Sequence, residues 1–208
     1  MADKSICYLD IETSGLYPNS GHVILSIGAV VDRGTKKNPI AEFYVEIAPT
    51  AAQWQHAADA ALRVNGMTWE RLQQNGKPFN QASDEFSAFL VENKVKTGKA
   101  VIVGHYPAFD MGFLEHYMRG ALDFIDFPTS AEDVIDVFDL YSILMNRRVV
   151  PFLNRRRGEM TAKTVARNLG VQEEPEVHNA LEGARLAQRN YERAMSLINT
   201  GGQDGTTG

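Results

Sequence analysis

The chain has 208 residues, 44% of them hydrophobic and 23% charged, which is enough apolar surface for one sizeable core and too little bias for a disordered or fibrous protein. A net charge of −5 excludes a protein that coats nucleic acid through bulk electrostatics, but not one that sets cations on the rim of an acidic site. The one cysteine, Cys7, excludes an internal disulfide; with no apolar run of about 18 residues and no apolar core in the opening MADKS, neither a membrane span nor export is expected, and the cytoplasm is the expected setting.

In chain order, the apolar runs at 5–12 and 22–32 read as strands. The segment between them, SGLYPNSG, is rich in turn formers and too short for a crossover helix, so the two should pair antiparallel. AEFYVEI at 41–47 alternates as a third strand. Residues 53–76 read as helix in two pieces broken near Asn65-Gly66, and 80–95 carry Phe86, Phe89 and Leu90 at helical spacing. Trp54 and Trp69 fall in apolar helical patterns and read as core.

AVIVG at 100–104 has the uniform apolarity of a strand inside a parallel sheet, and Phe109 to Arg119 reads as the helix after it. VIDVFDL suggests a fifth strand leading into a helix, DLYSILMN. Thr161 to Leu169 has a Thr cap and a stop at Gly170, and Val177 to Ile198 is a longer amphipathic helix. This order predicts an α/β fold: a mixed five-stranded sheet, part antiparallel meander and part parallel, with helices on both faces. One domain over 1–198 is expected, with 199–208 a disordered tail.

Asp10 and Glu12 sit one residue apart at a strand end, so the two-residue period puts both carboxylates on one face. Two such charges repel unless a cation lies between them, and oxygen donors suit a hard ion such as Mg²⁺ or Mn²⁺. A solvated strand end is the bland alternative. Asp110 opens a helix after an apolar strand, where open α/β sheets place ligands, although an acid there also suits the helix dipole. His178 begins the last helix and can accept a proton near neutral pH; it can equally be a capping or surface residue. In RRVVPFLNRRR, Arg147, Arg148, Arg155, Arg156 and Arg157 form an acid-free stretch, either a phosphate clamp or a solvated loop.

Taken together, YLDIETSGL followed by ILSIGAV, then GHYPAFDMGFL, then HNALEGA, resembles in order the three Exo motifs of the DnaQ-like (DEDDh) 3′→5′ exonucleases of the RNase H-like superfamily. The resemblance runs from residue 7 to about 190. It implies an RNase H-like sheet and hydrolysis of the 3′ ends of single-stranded DNA or RNA to nucleoside monophosphates, with two Mg²⁺ or Mn²⁺ ions. Carried over, Asp10 would bridge both ions, Glu12 and Asp110 would each serve one, and His178 would deprotonate the attacking water. Ile11, Thr13, Gly15, Leu16 and Phe109 would contact the terminal nucleotide, with Arg155 and Arg156 on the phosphates. No membrane partner is implied, and a homodimer is compatible with the sequence.

Two positions depart from the pattern. The third motif normally carries an aspartate five residues after its histidine, and this chain has Gly183 there. The nearest acid, Glu182, points about 100° away around a helix. Three readings stand: an aspartate replaced by substitution, a natural member that binds but barely cleaves, or recruitment of another acid. The second departure is Tyr106, where many relatives have Asn, with consequences for substrate contacts. The rivals to an exonuclease are a degenerate module that binds nucleic-acid ends or a protein without turnover, and a phosphodiesterase acting on small nucleotides.

Overall fold

The structure, a computed structural model, describes residues 4–34, 40–173 and 179–200. The first strand, β1 (Ser5–Thr13), alternates its side chains between two apolar layers: Cys7, Leu9 and Ile11 enter one, and Tyr8 enters the other. It pairs antiparallel with β2 (Ile24–Asp32), which pairs antiparallel with β3 (Ala41–Glu46). On its other side β1 takes up β4 (Ala100–Gly104) in parallel, followed by the short parallel β5 (Val134–Asp136). The sheet order is β3-β2-β1-β4-β5, the mixed five-stranded architecture expected from the sequence.

Between β3 and β4 lie α1 (Ala51–Trp54), α2 (Asp59–Asn65), α3 (Trp69–Asn75) and α4 (Phe79–Glu92). The two helical pieces expected over 53–76 are three: besides the break at Asn65-Gly66, the chain leaves helix between Trp54 and Asp59, where the N–H of Ala58 donates to the carbonyl of Ser14 at 2.7 Å, and Thr50 and Thr68 start α1 and α3 by accepting the N–H of Gln53 and Arg71. Trp54 and Trp69 pack ring to ring at 5.9 Å. Helix α4 and α5 (Pro107–Phe124) cover one face of the sheet, where Phe86, Leu90, Phe113 and Leu114 are fully buried against Cys7, Leu9 and Ile102.

The opposite face is covered by α6 (Val137–Asn146), α7 (Ala162–Leu169) and α8 (Ala180–Asn199). The expected fifth strand in VIDVFDL is only three residues long. Asp136 accepts the backbone N–H of Phe138 at 2.9 Å and so caps a helix that already includes Val137. Asn179 caps α8 by accepting from the N–H of Leu181 at 2.9 Å. The first turn of α8 lies directly on β2: a Cβ on Gly28 would fall well inside contact distance of the Ala180 backbone. No helix among the described residues is long and apolar enough to cross a membrane.

Candidate active site

The alternation of β1 that buries Tyr8 beneath α8 puts Asp10 and Glu12 on the same side, opposite Gly28 and Ser26 of β2. Ser26 is buried, and its hydroxyl has no hydrogen-bond partner among the described residues. Helix α5 delivers Asp110 from the neighbouring strand β4, and its Oδ1 accepts the N–H of Ile11 at 3.0 Å. Asp10, Glu12 and Asp110 line one cleft of about 200 Å³, together with His105, Phe109 and Gly183. The structure thus sets the three acids around one cleft from one strand, β1, and one helix, α5. His178 lies outside the described residues.

Asp110 is 3% exposed. Burial, and the charges of Glu12 and Asp136, push its carboxyl up to about 8 against the pull of the backbone N–H groups of Ile11 and of Asp110 itself. Three carboxylates gathered around one cleft, one of them buried, are a hard-oxygen donor set that fits a divalent cation such as Mg²⁺ or Mn²⁺. Among the described residues, no three His, Cys, Asp or Glu side chains already converge as a metal-binding group.

Gly183 faces Asp10. A Cβ built on Gly183 would lie 2.6 Å from Asp10 Cγ and closer still to its Oδ2, so Asp10 rests in the space where a side chain at 183 would begin. Glu182 is turned elsewhere: Arg185 binds it and also binds Glu42, with Nε 2.9 Å from Glu42 Oε1. That lock leaves Glu182 committed to a surface ion-pair cluster and answers the open alternative of the sequence: this acid does not occupy the position missing at 183.

Beside the acids is an apolar pocket of about 370 Å³ whose walls include Ile11, Gly15, Leu16, Ala61, Val64 and Phe109. The turn after β1 is pinned in place. Thr13 Oγ1 donates to the carbonyl of Gly15 at 2.7 Å, and the buried Asn65 donates to the carbonyl of Thr13 at 3.0 Å. A Cβ on Gly15 would come within 2.6 Å of the His22 ring, so any larger residue here would have to displace that ring. Leu16 is left 63% exposed at the pocket mouth. Asn65, read from the sequence only as part of a helix break, is a strut of the site; its signal was an Asn before Gly at the end of a short helix.

The arginines separate into two kinds. Arg155 is held by Asp136 Oδ2 at 2.9 Å and Asp139 Oδ1 at 3.0 Å, so its charge is largely compensated. Arg156 is exposed, and among the described residues only its backbone N–H is engaged, by Asn154 at 3.1 Å. His105 shares a hydrogen bond of 2.9 Å with Asn190 of α8, tying the turn before α5 to the helix that carries Gly183.

An acid-lined cleft at the ends of β1 and β4, on a sheet of this order with helices on both faces, defines an RNase H-like nuclease fold. The chain belongs to the RNase_T exonuclease family, whose profile (Exonuclease) matches residues 7–189, and it is DnaQ-like within that group. It is 26% identical over 192 residues to the DNA polymerase III subunit epsilon of Rickettsia conorii, covering 90% of this chain and 72% of that one. Among solved structures it resembles cell-death related nuclease 4 (CRN-4), with a TM-score of 0.71 at 14% identity, over 96% of this chain and 65% of that one. It also resembles the nuclease domain of 3′hExo, a DEDDh family member bound to rAMP, with a TM-score of 0.66 at 16% identity, over 99% and 96% of the two chains.

Proposed function

We propose that this protein is a divalent-metal-dependent 3′→5′ exonuclease that removes nucleoside monophosphates from single-stranded DNA or RNA ends, with a site weakened by Gly183. The observation that carries the reading is that Asp10, Glu12 and Asp110 line one cleft, which adjoins an apolar pocket of nucleotide size. The family supports the chemistry, and the likeness to a 3′-exonuclease that recognises the 3′ end of a histone mRNA stem-loop, at a TM-score of 0.67 and 16% identity, supports the polarity.

In this reading the three acids hold the cation, and Leu16 and Phe109 enclose the terminal sugar and base. The Thr13–Leu16 turn offers backbone groups to the 3′ hydroxyl, and exposed Arg156 meets phosphate. A bound Mg²⁺ or Mn²⁺ supplies charge neutralisation at the phosphate and a more acidic water. His178, by its place in the motif, would accept the proton of the attacking water. Without an acid at 183, Asp10, Glu12 and Asp110 would hold one ion better than a second. The fully buried Cys7, its thiol pushed up to about 12 by burial, is an inert core residue and suits a cytoplasmic setting.

An oligonucleotide labelled at its 5′ end, incubated with Mn²⁺, should shorten one nucleotide at a time from the 3′ end and stop when the metal is chelated. Asp10→Ala should abolish this, and Gly183→Asp should increase it by at least about tenfold, since a missing carboxylate misplaces the reacting water. No shortening by either the unaltered protein or Gly183→Asp would overturn the enzymatic reading. Because Asp10 lies against Gly183, a second reading is a module that holds nucleic-acid ends without turnover. Oligonucleotide binding with no hydrolysis, unaffected by Asp10→Ala, would select it.

A further inference from the structure

Tyr106 has a backbone in the left-handed region, φ 57° and ψ 52°, where a bulky L-residue is strained, and yet its side chain is 55% exposed. Packing alone does not explain a large ring held in this way at a surface. The residue is fixed from behind: its N–H donates to Asp136 Oδ1 at 3.1 Å, and its carbonyl accepts the N–H of Phe109 at 3.0 Å. The guanidinium of Arg155 lies 6.0 Å from the Tyr106 ring centroid and 5.6 Å from that of Phe138. Asp136 and Asp139 fix that guanidinium and offset its charge, so it backs the ring as a flat, tempered surface.

The position of this shelf gives it a role. The acidic cleft and the apolar pocket share Ile11, Glu12 and Phe109. The cleft residues that the pocket does not share include His105, Ala162 and Gly183, and Tyr106 directly follows His105. A strand with its last nucleotide in the pocket has the bond to be cut over the acids, so its preceding nucleotides leave on the His105 side. We propose that the Tyr106 ring, backed by Arg155, stacks the base of the penultimate nucleotide of the single strand. This rests on the exonuclease reading and adds to it a second base site, with Arg155 as a backing residue and not a phosphate clamp.

The test uses short oligothymidylates carrying the fluorescent base 2-aminopurine at the 3′-terminal or at the penultimate position, with calcium replacing magnesium. The unaltered protein should quench both probes, as stacking does. Tyr106→Asn should lose quenching at the penultimate position and keep it at the terminus, while affinity falls about tenfold. Tyr106→Phe should behave as the unaltered protein. Asn accepts the left-handed backbone, so Tyr106→Asn should melt no lower than the unaltered protein even as it binds less well. Penultimate quenching that survives Tyr106→Asn overturns the stacking site and leaves the exonuclease reading standing. Failure of the unaltered protein to quench either probe overturns both.

Discussion

Asp110 is buried at the start of α5 with only backbone N–H groups to favour its charge, and Glu12 and Asp136 oppose it. Its carboxyl is pushed up to about 8 in the folded chain from 3.8, so the fold holds a proton there that the unfolded chain releases. Stability from this group is therefore full below about pH 4 and is lost as pH rises through about 8 in metal-free protein. Asp110→Asn keeps the acceptor for Ile11 and removes the titration; in EDTA its melting temperature should match the unaltered protein near pH 4 and exceed it at pH 8.5. A divalent cation should reverse the order for the unaltered protein only, and binding at pH 7 should release protons, measurable as a buffer-dependent heat. At Gly183 the same calorimetry should count about one Mn²⁺ per chain, and Gly183→Asp should raise the count if the Asp10 carboxylate swings aside.

At the scale of elements, the turn after β1 depends on α2 through Asn65, which donates to Thr13 and accepts the N–H of Met67 at 3.0 Å. Asn65→Ala should cost about 1–3 kcal/mol in a denaturant titration, and should raise the KM for oligonucleotide more than it lowers kcat, because the pocket wall loosens while the acids stay. Much of this layer was legible in the sequence. The two-residue period of β1 placed Asp10 and Glu12 on one face, AVIVG read correctly as a parallel strand, and the Asp110 helix followed it. What was not legible has physical causes. VIDVFDL is apolar enough for a strand or a helix start, and the capping bond of Asp136 decided for helix. Tyr106 adopts a conformation that its residue type disfavours, so no local preference announces it. The Asp10–Gly183 contact joins segments from near opposite ends of the chain, and a glycine leaves no side-chain pattern from which to infer what fills its place.

For the molecule as a whole, the face that carries the acids is closed by α8, the last described helix, which packs on β1, β2 and β4. Contacts between segments so far apart must repay the entropy of closing a long loop, which ties the acid-bearing face to the fold as a whole. Mn²⁺ affinity measured along a urea titration should therefore vanish together with the global unfolding transition and not before it. The depth of the cleft is itself set at a distance, by Gly28, where the missing methyl group lets α8 rest on the sheet. An alanine at 28 would act as a shim, lifting the near end of the helix and drawing Gly183 away from Asp10 without altering any acid. Cleft width in this scaffold is thus an adjustable dimension, and the screw that adjusts it lies in the neighbouring strand.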